Sequence, residues 1–245
     1  MNLKASGISA STALSYKVEL PRASDAVRNL MLMLDELEDG EEVEQLVVDV
    51  SEAFWLPPNH PFERKFFVAR FGDKWVVLLK TAQGSRNATL TWATIAALQG
   101  RLASSTFTSP ERRRAKSVAE VLMEIFVDDP RMTFRGTRDR INFNMAKMTA
   151  IWMAMGFPLA LHKNHRGAKI PWIGCLFEVR VACAEVQVEI TEEKVKEVDM
   201  LTGDILKGNV VSLVLLRSYA GKLQSMASLI VFLRPFCHAA VGGFL

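Results

Sequence analysis

Two short runs decide how this chain is read: Leu46-Val47-Val48-Asp49-Val50 and, far downstream, Ile125-Phe126-Val127-Asp128-Asp129-Pro130. Each is an apolar run that fits a buried strand, and each delivers acid at its end. A carboxylate on a buried strand is costly unless it reaches a sheet edge, finds a partner or is neutralised by a cation. Asp49, Asp128 and Asp129 on adjacent strands would repel one another. Mg2+, a hard cation that often shares carboxylate and phosphate oxygens, would relieve that repulsion. Two such ions side by side are the recurring device of in-line phosphoryl transfer. The reading requires the strand of Asp49 to lie beside that of Asp128; a plain Asp-Asp-Pro surface turn is the alternative for the second run.

Outward from these strands, periodicity supplies a frame. Residues 26–37 are helical in pattern, 66–70 and 75–79 flank a Gly72-Asp73 turn signal and read as a hairpin, and 91–102 are helical again. Ser109-Pro110 begins a helix toward Glu120. A strand at 121–127 turns into one at 131–134, a long amphipathic helix fills 138–155 and stops at Gly156, and Pro158-Leu159-Ala160-Leu161 starts another strand. Strands at 177–181 and 186–190 precede a charged helix at 192–201, a turn at Thr202-Gly203-Asp204 and an apolar helical stretch at 209–233. The order is that of an α+β sandwich, an antiparallel sheet with helices packed on one face, followed by a mostly helical part.

With 245 residues, 49% hydrophobic and 23% charged, the chain has ample material for a core and is not a disordered tail. Its 30 Lys+Arg against 27 Asp+Glu are too nearly balanced to announce a polyanion partner. Nucleic-acid binding must rest on local clusters such as Arg112-Arg113-Arg114, which either line a groove or coat a helix. The scattered Cys175, Cys183 and Cys237 read as buried thiols, and Met145, Met148, Met153 and Met155 as core filling. No secretory h-region opens the chain, and the apolar stretch at 227–233 falls short of the roughly 20 residues of a spanning helix. The expectation is an intracellular protein of cytoplasm or nucleus with no membrane partner.

The acidic runs belong to a longer series. Val48-Asp49-Val50-Ser51-Glu52-Ala53-Phe54-Trp55, with Leu56-Pro57-Pro58 after it, resembles the first catalytic-aspartate motif of reverse transcriptases. Phe126-Val127-Asp128-Asp129 resembles their aromatic-x-Asp-Asp hairpin, and Gln83-Gly84 with the following helix is similar to their Gln-Gly turn, without its usual Ser-Pro. Gly156-Phe157-Pro158-Leu159-Ala160-Leu161-His162-Lys163 resembles their Gly-strand-Lys motif, and Trp172-Ile173-Gly174 the hairpin called the primer grip. The five stand in the family's order. The resemblance runs from about residue 17 to about 178, fades toward about 240, and is nearest to the reverse transcriptases of retrotransposons.

The resemblance implies an RNA-directed DNA polymerase. Residues 1–44 would be a remnant of fingers and the entry to the palm, 45–178 the palm with its catalytic carboxylates, and 179–245 a thumb-like connection and helices. It implies that Asp49, Asp128 and Asp129 hold two Mg2+ (or Mn2+) ions, that Lys163 lies near the leaving pyrophosphate, and that Phe54 sits under the sugar as a steric gate. Gln83 and Gly84 would border the nucleotide, with Arg22 a remnant of the triphosphate-binding residues. Trp172, Ile173 and Gly174, with Arg112 and Arg113, would hold primer and template. The partners implied are an RNA or DNA template with its primer, deoxynucleoside triphosphates, and other parts of a larger retroelement polyprotein. The short stretch before Asp49 points to truncated fingers. That shortness and the missing Ser-Pro keep an alternative open: a truncated, catalytically inactive palm that retains only nucleic-acid binding.

Overall fold

The computed structural model of the chain describes residues 19–82, 84–85, 88–107, 119–208, 210–227 and 235. Gln83, Arg112, Arg113, Cys237 and the helix expected from Ser109 lie outside the described residues. In chain order the elements are α1 (Ala23–Asp35), β1 (Glu42–Val47), β2 (Val68–Phe71), β3 (Lys74–Val77), α2 (Ala88–Ser105), β4 (Val121–Phe126), β5 (Asp129–Gly136) and α3 (Arg138–Ala154). Then follow β6 (His165–Gly167), β7 (Lys169–Trp172), β8 (Cys175–Arg180), β9 (Glu185–Ile190), α4 (Glu192–Lys207) and α5 (Leu213–Ala227). They make an antiparallel four-stranded sheet, β4-β5-β1-β6, a three-stranded sheet, β7-β8-β9, and the β2-β3 hairpin.

β1 is buried on both faces, so both are covered by other elements. Leu46 and Val48 join Val121, Met132 and Phe134 on one side, where α2 and α3 close over them with Trp92, Ala96, Ile141, Met145, Met148 and Trp152. α2 packs closely enough on β4 that it carries Gly100 there, where a Cβ would run into the Ile125 side chain. Val43 and Val47 face the other way, and there α1 and the three-stranded sheet form a second core around Ala26, Leu30, Met33, Ile170, Trp172 and Phe177. The helices expected on one face are α2 and α3; the second face is closed by elements whose pairing no periodicity announces.

A buried polar chain crosses that second core. Arg131, on β5, has no exposed surface. Its Nη1 donates to Glu124 Oε2 at 3.0 Å, and its Nε and Nη2 donate to Gln45 Oε1 at 3.2 and 2.5 Å. Gln45 Nε2 donates in turn to the carbonyls of Ala168 and Phe177, while Asn29 Nδ2 donates to Glu124 Oε1 at 2.6 Å. The guanidinium also lies 5.6 Å from the Trp172 ring and 5.1 Å from the Phe177 ring. Burial pushes the Glu124 carboxyl up and the Arg131 guanidinium down, and the opposite charge of each opposes the shift of the other.

Several expectations are corrected. The strand at 158–161 is a single bridge, Val50 to Leu159, followed by a 3-10 turn at Leu161–Lys163, because Pro158 has no N–H to add to a ladder. Thr202-Gly203-Asp204 lies inside α4, where the Thr202 hydroxyl donates to the Val198 carbonyl one turn back and the helix continues past Gly203. Cys175 is buried but Cys183 is exposed, and Met153 turns outward from α3 while Met145 and Met148 fill the core. No helix among the described residues is long and apolar enough to cross a membrane.

Arg131→Ala removes the counter-charge of the buried Glu124 carboxylate and the donors to Gln45 Oε1. It is expected to lower the unfolding free energy by about 3–5 kcal/mol in urea denaturation, and the pair Arg131→Met with Glu124→Leu is expected to recover a large part of that loss.

Candidate active site at the carboxylate hairpin

β1 continues past Val47 as a backbone wedged between two neighbours. Val48 N–H donates to Pro130 O at 3.2 Å, Val50 N–H to Asp128 O at 3.4 Å, and Ala160 N–H to Asp49 O at 2.9 Å. Asp49 and the Asp128-Asp129 pair therefore stand on adjacent strands, as the two-strand reading required. Lys163 arrives from the turn that follows Leu159, and its Nζ reaches Asp49 Oδ2 at 2.6 Å.

The β4-β5 turn is strained. Val127 has φ 56°, a left-handed conformation that a β-branched side chain resists. It is held from two sides: Trp92 Nε1 of α2 donates to Val127 O at 2.8 Å, and Trp172 Nε1 of β7 donates to Asp129 O at 3.0 Å. The Phe126 and Trp172 rings meet edge to face, 6.4 Å apart. The tip carrying Asp128 is thus fixed by two indoles whose rings belong to opposite cores.

Three carboxylates in this setting oppose one another. Desolvation, then the charges of Asp128 and Asp49, push Asp129 up to about 6. Asp128 is raised by desolvation and by Asp49, and Lys163 is raised chiefly by its hydrogen bond to Asp49, with Asp129 and Asp128 adding to it. One ammonium offsets only part of three acids. Among the described residues no group of three His, Cys, Asp or Glu side chains is placed to hold an ion. The donor set nevertheless has the character that a hard divalent cation favours: oxygen-only, electrostatically under-compensated, and open to the two cavities beside it. Mg2+ characteristically binds through one or two carboxylates plus substrate phosphates and not in an all-protein cage.

Two cavities meet at this point, sharing Asp49 and Lys163. One, of about 440 Å³, is lined by Asp49, Asp129 and Lys163 together with Trp172, Ile173, Gly174 and Thr191. The other, of about 630 Å³, is lined by Asp49, Asp128 and Lys163 together with Phe54, Trp55 and His162. Phe54 stands in a 3-10 turn, Ala53–Trp55, with its ring packed partly on the first core. Ile173 and Gly174, with φ 46° and 78°, form the two-residue link between β7 and β8. The Gly174 carbonyl accepts from Thr191 N–H at 3.2 Å, tying that link to the start of α4.

The structure thus brings together Asp49, Asp128, Asp129, Lys163, Phe54, Trp172, Ile173 and Gly174. Arg22 does not join them: it is the exposed N-cap of α1, its N–H donating to the Asp25 carboxylate, and it lines neither cavity. Gly84, exposed at φ 89° ahead of α2, lines neither cavity. Sequence reading missed Trp92, Arg131 and Thr191, whose contributions are hydrogen bonds to backbone carbonyls or contacts between sheets and leave no local pattern.

Asp129 titrates near 6 in the folded chain against an ordinary 3.8, so the folded state holds the extra proton between those values. The penalty of ionising it enters as pH rises through that window and is complete above it. Asp129→Asn is expected to raise the Tm of the metal-free protein by a few degrees at about pH 8, with the gain shrinking by half or more at about pH 4.5 in circular-dichroism melts.

No protein-family model matches the sequence, and no curated protein matches it. Solved structures do. The chain is similar to a foamy viral protease-reverse transcriptase "dRH" in complex with double-stranded DNA, with TM-score 0.54 and 14% identity over 90% of this chain and 32% of that one. It is similar to the foamy viral protease-reverse transcriptase in complex with an RNA/DNA hybrid, with TM-score 0.54 and 14% identity over 92% of this chain and 25% of that one. A complex of that protein with double-stranded DNA gives TM-score 0.51 and 14% identity over 89% and 38%. The chain therefore spans well under half the length of these proteins. What they share with it is the fold: an α+β, reverse-transcriptase-like arrangement of antiparallel sheets and helices.

Proposed function

We propose that this chain is the palm, with thumb-like helices, of an RNA-directed DNA polymerase of the retrotransposon kind, which adds deoxynucleotides to a primer by two-metal phosphoryl transfer. One observation carries the reading: three acids from two adjacent strands meet where two cavities join, with Phe54 on one side and the Trp172-Ile173-Gly174 turn on the other. The likeness to structures in complex with double-stranded DNA and with an RNA/DNA hybrid supports a template with its primer as partner. Deoxynucleoside triphosphates and other segments of a retroelement polyprotein complete the set.

Asp49, Asp128 and Asp129 are the residues that would hold Mg2+ or Mn2+, ions that when bound stabilise charge on the attacking and leaving oxygens. The chain's own side chains do the rest. Phe54 walls the larger cavity, where a ring under the sugar excludes a 2′-hydroxyl by bulk. Lys163, kept protonated by Asp49, exchanges that carboxylate for the leaving pyrophosphate and supplies positive charge or a proton there. The Ile173-Gly174 turn, anchored by Thr191, borders the smaller cavity and orients the primer end. Gln83 and Gly84 keep their nucleotide-side assignment from the motif alone.

The short Lys163–Asp49 contact favours a second reading, in which the ammonium permanently neutralises Asp49 and the palm only binds nucleic acid. Primer extension on an RNA template with Mg2+ or Mn2+ separates the two. The parent chain is expected to extend, and Asp128→Asn to lower the rate by at least about a hundredfold. No extension by either, with template–primer binding retained, selects the second reading. In the same assay Phe54→Val is expected to raise incorporation of ribonucleotides relative to deoxynucleotides by about tenfold.

A further inference from the structure

The hairpin of β2 and β3 presents exposed apolar side chains together with concentrated positive charge. Phe66, Phe71 and Trp75 are 64%, 82% and 71% exposed, and β3 is exposed along its whole length. A two-stranded ribbon is marginal in water by itself, and rings left in solvent on this scale mark a surface that meets something. Around the rings stand five cations, Arg64, Lys65, Arg70, Lys74 and Lys80, against two acids, Glu63 and Asp73. That local surplus equals the surplus of the entire chain, 30 basic against 27 acidic side chains.

The ladder register arranges rings and cations in pairs. Arg70 stands opposite Trp75 and Phe71 opposite Lys74. Because side chains alternate between faces, one ring–cation pair occupies each face of the ribbon. A third pair lies at its base, with Lys65 Nζ 5.1 Å from the centroid of Phe66. The ribbon is rooted firmly. Asn59 Nδ2 donates to the carbonyls of Leu78 and Lys80 at 3.1 and 2.8 Å, and Thr81 N–H and Oγ1 both donate to Pro57 O. That root follows directly on the Ala53–Trp55 turn that borders the larger cavity.

We infer that the β2-β3 hairpin is a binding surface for unpaired nucleic acid, its rings stacking on bases and its cations on the phosphates between them. Exposed rings interleaved with positive charge are the chemistry of sequence-tolerant single-strand binding; an apolar protein partner would have no use for the charge. The identity of the strand, the unpaired template ahead of the primer end, rests on the polymerase reading, while the binding itself does not.

The test is fluorescence anisotropy of a labelled twelve-nucleotide oligo(dT) and oligo(rU), with no nucleotide or metal added, so that polymerisation plays no part. The double variant Phe71→Ala with Trp75→Ala is expected to weaken binding by about tenfold or more. Lys65→Glu with Lys74→Glu is expected to flatten the dependence of log affinity on log salt by roughly 1.4. All four positions are exposed, so unchanged melting curves accompany both variants. Primer extension on a template with a long unpaired 5′ stretch is expected to suffer in the ring variant, and extension on a one-nucleotide overhang to match the parent. Absence of oligonucleotide binding by the parent chain overturns the inference. So does equal affinity of the ring variant, or a ring variant that only abolishes self-association in sedimentation. Absent extension with intact, ring-dependent oligonucleotide binding overturns the polymerase reading and leaves the hairpin surface standing.

Discussion

The buried guanidinium of Arg131 joins the elements on which the carboxylate hairpin rests. A charge with no exposure is tolerated only when its hydrogen-bond potential is met and a counter-charge lies beside it. Glu124 and Gln45 supply both, and each belongs to a strand flanking β5. Because Gln45 passes the connection on to the carbonyls of Ala168 and Phe177, the same chain of bonds fastens the second sheet to the first. Asn29 brings in α1. Trp172 rests on the Arg131 guanidinium and donates to the Asp129 carbonyl, so the position of the acidic turn is set by a cation buried behind it.

On that base the site stores tension in two forms. Val127 is held in a backbone region that its side chain disfavours, and Asp128 and Asp129 are held where ionisation is opposed by burial and by neighbouring carboxylates. Both forms persist because the surroundings over-determine them: two indole N–H groups grip the turn, and two packed cores prevent it from relaxing. Polar groups held rigidly in a partly dry site interact more strongly with a charge that arrives there than water would. Lys163, on an exposed side chain, provides partial compensation through its ion pair with Asp49.

The two cavities divide the acids between them. Asp128 borders the one with Phe54, Asp129 the one with the Ile173-Gly174 turn, and Asp49 with Lys163 lies on their common boundary. A two-residue turn makes this division possible, since adjacent side chains at a strand end leave on opposite sides. The α4 start closes the smaller cavity through Thr191, while α5 is held on α4 by Lys222 with Glu197 and by Tyr219 with Thr202.

The local patterns that reach from residue to chemistry were legible without coordinates. Apolar runs ending in Asp49 and Asp128 marked strand ends, Gly72-Asp73 marked the hairpin turn, and Gly156, at φ 83°, marked the end of α3, because strand periodicity and left-handed turns are properties of a few consecutive residues. The order of the motifs likewise lay in the chain itself. What only the tertiary structure decided is how those pieces meet: that β1 lies beside β5, that its second face is closed by α1 and a separate sheet, that Arg131 pairs with Glu124 and Gln45, and that Arg22 stands apart from the acids. A Pro at 158 looked like the start of a strand and Thr202-Gly203-Asp204 like a turn, yet the first segment makes a single bridge and the second lies inside α4. Non-local pairing depends on which buried groups can satisfy each other across space, and that complementarity leaves no periodic trace in sequence.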